Sequence, residues 1–179
     1  MKSELEENIS NAQNLYHGIV EAGYTYGCLE VALTAMGADL TINKVNREGR
    51  TPTPLIEVLK RAGLKINWLV SPGAELQAQD MTALLSGTLP LDEDYPQGDL
   101  AGYLWIETYT DQPGHSLVIF PEKNNLYPVM DAMVGGLIHA SAENLAHMAN
   151  HVSSQGGSFE IAQIRKSISE TPLWTDYLR

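Results

Sequence analysis

Between residues 103 and 131 the chain passes through three apolar segments, YLWIETY (103–109), HSLVIF (115–120) and LYPVMD (126–131), joined only by TDQPG and PEKNN. Each has strand length and is rich in β-branched and aromatic residues. Connections of five residues are too short for a crossover, so these segments pair antiparallel. In PEKNN, Asn124 and Asn125 are able to take the left-handed backbone angles that a tight hairpin turn needs. FEIAQIRK (159–166) reads as a last strand.

The N-terminal part reads differently. Residues 3–21 form a helix that Ser3 caps and Gly23 ends, with Leu5, Ile9, Leu15, Ile19 and Val20 on its apolar side. A short aromatic connector, YTYG, leads to CLEVALTAM (28–36), a buried helix closed by Gly37. After a loop containing Asp39, Asn43, Asn46 and Gly49, Thr51-Pro52-Thr53-Pro54 opens the helix LIEVLKRA, which Gly63 stops. KINWLV (65–70) alternates like a strand, and residues 74–86 read as a helix on Leu76, Met81, Leu84 and Leu85. Residues 89–102 form a connector, and a helix over roughly 141–152 opens on Ser141 with Glu143 and Asn144, an imperfect capping box. Helices followed by antiparallel strands predict an α+β domain in two halves with a cleft between them. The expected organisation is one domain over 1–179: an N-terminal helix (1–22), a helical half (23–88) and a sheet half (102–166).

Composition narrows the function classes. A chain of 179 residues, 44% apolar and 18% charged, is long enough for one sizeable core. No apolar run approaches the ~18 residues of a membrane span, and MKSELEENISNAQN reads as neither a signal nor a transit peptide. A formal net charge of −11 repels nucleic acid and anionic membranes; it favours solubility and is suited to a basic partner. The expected location is cytoplasmic, or secreted without a cleaved signal as an effector. A single cysteine makes no internal disulfide and no paired-thiolate zinc site. The four acidic residues within 89–102 lack the spacing of a calcium loop. No metal and no cofactor is implied, and oligomeric state is left open.

That single cysteine, Cys28, sits where Gly27 ends the aromatic loop and the apolar helix begins. It is either one more apolar position of that helix or a thiol placed for attack. A helix N-terminus and a nearby imidazolium both favour a thiolate. The free first-turn N–H groups are also suited to an oxyanion. His115 opens a strand directly after Gly114, and the returning strand ends in Asp131. In a hairpin turning through 121–125 the two become neighbours, and an acid beside an imidazole selects its tautomer and steadies the imidazolium. The expected constellation is Cys28, His115 and Asp131.

The stretches YGCLEVALTAMGADL, GRTPTPLIEVLKRAGLKINWLVSP and GHSLVIFPEKNNLYPVMDAMVGG resemble the papain-like cysteine peptidases, nearest to the small peptidase domain with which bacteriocin exporters remove double-glycine leaders. That family places a cysteine at the start of its first core helix, then a helix with a G-x-x-P/S-x-x-L opening and a GL ending, then H-x-V-V on a strand, a hairpin and an aspartate before a glycine turn. The likeness spans roughly residues 23–145. It implies a papain-like fold with Cys28 as nucleophile, His115 as general base and Asp131 as the group orienting the imidazole. It also implies a protein or peptide substrate. The family's glutamine about six residues before the cysteine has no counterpart among Glu21, Ala22 and Gly23; Gln13 and Asn14 lie further upstream, and the second oxyanion donor stays open between them. Leu29-Glu30 stands where the family often has glycine, and Ala132 where it has proline. The same fold and triad serve glutamine deamidases and transglutaminases, several of them compact bacterial effectors. Three functions are therefore expected in turn: a cysteine peptidase, a deamidase-type acyl transferase acting on a protein side chain, or a binding module that has lost catalysis.

Other features carry less. His147 and His151 stand four apart on one helix face, with His139 before them, but without the H-E-x-x-H pattern they read as a solvated face. Gly135-Gly136 and Gly156-Gly157 read as turn glycines. Tyr24, Tyr26, Trp68 and Trp105 are candidates for a substrate cleft, with packing the commoner fate of such rings. Tyr24 and Tyr26, flanking Cys28, and Gly114, beside His115, are the cleft residues to test.

Overall fold

Ser3 opens α1 (Glu4–Glu21) as expected: its hydroxyl accepts from the Glu6 N–H while the Glu6 carboxylate accepts from the Ser3 N–H, a reciprocal capping box. The coordinates come from a computed structural model, which describes residues 1–23, 27–37, 63–70, 76–86, 99–112, 114–131 and 136–166, without the side chains of residues 65, 67, 68, 70 and 136. The expected helix at 55–62, most of the 89–102 connector, Tyr24, Tyr26, Ala132, Gly135 and the Trp68 side chain lie outside the described residues. The buried stripe of α1 is Ile9, Ala12, Leu15 and Ile19. Leu5 and Val20, expected on that side, are instead 39% and 56% exposed: Val20 falls off the edge of the 3.6-residue stripe that Ala12 completes, and Leu5, though in line with it, sits in the first turn of the helix.

α2 (Cys28–Ala35) packs on α1. A side chain built on Gly27 would meet Ile19, and one on Gly37 would approach Asn8, so the two helices run antiparallel. The remaining elements are β1 (Leu64–Val70), α3 (Ala78–Leu84), β2 (Leu100–Thr108), β3 (His115–Ile119), β4 (Tyr127–Asp131), β5 (Gly136–Ala140), α4 (Ala142–Ser154) and β6 (Ser158–Lys166). The six strands make one sheet in the order β1-β6-β2-β3-β4-β5, and every pairing is antiparallel. The α+β class is therefore present. β1, expected within a helical half, pairs with β6 and belongs to the sheet. β5 was not expected at all: Gly136 starts a strand rather than a turn.

Both faces of the sheet are covered. Leu104, Val118, Met130, Ala162 and Ile164 point to the face that α1 and α2 occupy. Tyr103, Trp105, Leu117, Ile119, Val129, Phe159 and Ile161 point to the other, packing with Met81 of α3 and with Leu145, Ala149 and Val152 of α4. This is why the centres of β2, β3 and β4 are buried without alternation. α4 begins with Ser141 accepting from the Asn144 N–H; the Asn144 amide oxygen accepts from the Ser141 N–H, so asparagine supplies the third-position partner. Among the described residues no helix is long and apolar enough to cross a membrane.

Candidate active site

Gly27 and Gly114, the residues before Cys28 and His115, fix where those two side chains stand. At Gly27 the backbone has φ +149°, and a Cβ there would lie 2.6 Å from Ile19 Cδ1. Only glycine combines that angle with that closeness to α1. As N-cap it carries no side chain to bond the first turn of α2, so no side chain caps the helix that starts at Cys28; its carbonyl accepts from the Val31 N–H at 2.9 Å. Cys28 is therefore the first residue of an uncapped helix, at the positive end of its dipole. Cys28 is partly exposed while the following turns, Val31 to Ala35, are buried.

At Gly114 a Cβ would overlap the Glu107 carbonyl oxygen. The chain enters β3 pressed against β2, and the next residue, His115, pairs directly with Glu107. The hairpin to β4 turns at Asn124 (φ 55°) and Asn125 (φ 64°), both left-handed, with Lys123 and Leu126 exchanging backbone hydrogen bonds of 2.8 and 3.2 Å. β3 and β4 pair at Val118–Met130 and Ile119–Val129. That register, continued, would set Leu117 opposite Asp131, so His115 reaches Asp131 on the diagonal, past the end of the paired ladder.

His115 Nε2 lies 2.9 Å from Asp131 Oδ1, with the two side chains only 17% and 15% exposed. The ring also lies close enough to the Cys28 thiol for the sulfur to raise its proton affinity. With Nε2 committed to Asp131, Nδ1 is the ring nitrogen left to exchange a proton with the sulfur. The hydrogen bond to Asp131, and after it the interaction with Cys28, push the His115 imidazolium up from 6.5 to about 10; burial works against them, and negative charge on the same two partners adds to the rise. Three residues far apart in the sequence are thus brought together, His115 hydrogen-bonded to Asp131 and within the influence of Cys28. Such an arrangement is able to hold a thiolate against an imidazolium, then deliver the ring proton to a leaving group.

The other expected site residues are placed as follows. Gln13 and Asn14 lie on α1, Asn14 exposed. Interpolating between the Gly27–Ile19 and Gly37–Asn8 approaches sets Gln13 beside the middle of α2, about 7 Å along the helix from Cys28 at 1.5 Å per residue. Trp105 is fully buried and stacks on Phe159, with centroids 5.2 Å apart and planes at 15°, so it packs rather than lining an open cleft. His139, His147 and His151 are exposed, and the described residues contain no group of three or more His, Cys, Asp or Glu fit to hold a metal.

Sequence reasoning overlooked Glu107. Trp105 Nε1 donates to its Oε1 and the Tyr109 hydroxyl to its Oε2, each at 3.1 Å. The signal was present in W-x-E-x-Y, whose spacing of two puts all three side chains on one face of a strand. No protein-family model and no curated protein matches this chain.

Proposed function

We propose that the protein is a papain-like thiol enzyme, most simply a cysteine peptidase, in which Cys28 attacks an amide carbonyl, His115 moves the proton and Asp131 holds the imidazole. The observation that carries this reading is the His115 ring hydrogen-bonded to Asp131 at 2.9 Å and close enough to Cys28, at the start of an uncapped helix, for the sulfur to raise its proton affinity. An imidazolium stable to about 10 keeps a cation beside the sulfur across the neutral range.

The steps balance simply. The thiolate forms a C–S bond and the carbonyl electrons move to oxygen, with the Cys28 N–H donating to the oxyanion. Collapse breaks the C–N bond, and the amine leaves with the proton of His115. Neutral His115 then takes a proton from water as it attacks the thioester, and the thiolate departs. The uncovered helix start and the order of the two glycine-positioned side chains also support the papain-like likeness of fold.

Alkylation by iodoacetamide tests activation without knowledge of the substrate. Cys28 in the wild type should react at pH 6 at least about tenfold faster than in His115→Ala, because the variant loses the imidazolium. Equal rates would sink the enzyme reading and leave a binding module. Mass spectrometry of treated proteins then separates backbone cleavage from a gain of about one dalton at a glutamine, the mark of the deamidase alternative.

A further inference from the structure

We propose that the outer edge of β5 is a docking strand for the substrate: an extended segment of a protein or peptide pairs with Leu137 and His139 while an amide about four residues further along reaches Cys28. The inference rests on the thiol-enzyme reading and adds to it how the substrate chain is held.

Among the described strands β5 lies last in the sheet, with β4 on its inner side. The Pro128 carbonyl accepts from the Phe120 N–H at 2.8 Å, so Pro128 and, by alternation, Met130 turn their backbone groups to β3. Tyr127, Val129 and Asp131 turn theirs to β5, where their partners are Ala140, Ile138 and Gly136. That parity directs the N–H and C=O of Leu137 and His139 outward. The edge begins at the candidate site, since Gly136 pairs with Asp131, whose carboxylate holds His115. A strand added outside β5 stands three strand spacings from β3, about 14 Å, which an extended chain covers in about four residues.

The side chains of this edge fit such a guest. Leu137 and Ile138, on opposite faces of the strand, are 37% and 38% exposed, and His139 is exposed as well. Leu126, also exposed, follows at the far end beside the Tyr127–Ala140 pair. The sequence of β5, GLIHA, contains no lysine, arginine, aspartate, glutamate or proline, the residues that shield a sheet edge from added strands. Main-chain pairing along an edge, with alternate side chains meeting apolar neighbours, holds extended peptides. A second copy of this chain is the poorer occupant. Two outward-facing residues make a ladder far smaller than the ~1,200 Å² a stable interface buries, and two chains of formal charge −11 repel each other. A substrate needs only a weak contact here, because its engagement at Cys28 makes the docking intramolecular.

Probes that alkylate Cys28 make the test. Peptidyl chloromethyl ketones and N-chloroacetyl peptides of alternating valine and threonine extend from the sulfur in opposite chain directions, and each loses chloride as the C–S bond forms. Each long probe, about nine residues, is compared with a dipeptide probe and with a twin N-methylated from about the fourth residue onward, which has lost its ladder donors. In at least one direction the long probe should label the wild type about fivefold or more faster than its methylated twin. The ratio should fall toward one in His139→Pro, which removes an outward N–H and no bond to β4, a change an edge strand tolerates. A ratio near one in both directions overturns the docking strand, as does a ratio that survives in folded His139→Pro. Amide exchange locates the contact in the wild type alone. The Leu137 and His139 N–H groups should exchange quickly in the free chain and in the dipeptide adduct, and about tenfold or more slower in the long-probe adduct. Slow exchange in the free chain, or no slowing in the long-probe adduct, overturns the proposal even if His139→Pro does not fold. A sedimenting dimer that His139→Pro dissociates assigns the edge to a second copy and overturns it too. Should the dipeptide probe label the wild type no faster than His115→Ala, the thiol-enzyme reading falls and the docking strand falls with it.

Discussion

His115 and Asp131 meet at 2.9 Å across a hairpin whose ladder has already ended, so the bond depends on side chains reaching beyond the register rather than on backbone pairing. Asp131 is the first cause of the raised His115 proton affinity. Asp131→Asn should therefore bring the imidazolium down from about 10 toward its ordinary range. It should also slow amide turnover on the order of 10²-fold or more, through loss of tautomer and orientation. NMR titration of the ring and steady-state kinetics read the two effects separately. An unmoved titration would show that Asp131 does not govern the ring.

The same shift makes a stability prediction whose sign is fixed. His115 holds its proton up to about 10 in the folded chain and to 6.5 in the unfolded one. Between these values the folded state binds the extra proton, so its contribution is complete below 6.5 and is lost as pH rises through 10. The gap in unfolding free energy between wild type and His115→Ala should narrow steadily over that window. Urea denaturation at pH 6, 8 and 10 measures it, and a gap that stays flat would contradict the raised affinity.

Much of the local fold around the candidate site was legible because its parts are local. Ser3 and Ser141 announce helix starts by their own hydrogen bonds, Asn124-Asn125 announce a turn by their tolerance of left-handed angles, and Gly27-Cys28 marks where a helix begins. These signals need no knowledge of the rest of the fold. Strand β5 left no such signal: Leu137, Ile138 and His139 are all exposed at the sheet's edge, so no inside-outside alternation marks them. β1 was seen as a strand, but its pairing with β6 joins positions about a hundred residues apart, which no local pattern encodes. Glu107 was passed over for a related reason. Its place opposite His115 is a matter of strand register, which the residue itself does not reveal.

Gly27→Ala tests whether the start of α2 is fixed by its neighbour. Alanine at φ +149° is strained, and its methyl would sit 2.6 Å from Ile19 Cδ1. The expected loss is about 1–3 kcal/mol, together with slower alkylation of Cys28 as the helix start shifts. Adding Ile19→Val trims the colliding carbon but leaves the backbone strain. The double variant should recover part of the alkylation rate relative to Gly27→Ala, without recovering wild-type stability. Full recovery of both would assign the whole effect to the contact.

Gly114→Ala examines the other glycine, where the obstacle is backbone and has no rotamer to change. The new methyl overlaps the Glu107 carbonyl oxygen, so β2 and β3 must separate at the end of their ladder. Further along the pair, Tyr103–Ile119 and Leu104–Val118 are fully buried and hold the strands together. The distortion is thus confined to His115 and the residues entering it. Stability should fall by about 1–3 kcal/mol, the usual cost of overpacking, while the lever from Gly114 to the imidazole acts in full on its reach to Cys28 and Asp131. A 1 Å misplacement of a reacting group costs about 10²-fold, so turnover and Cys28 alkylation should drop far more than stability implies, and the His115 titration should move down toward 6.5. Were the variant to keep wild-type alkylation and ring titration while losing stability, Gly114 would be a packing residue and β3 would hold His115 in place without it.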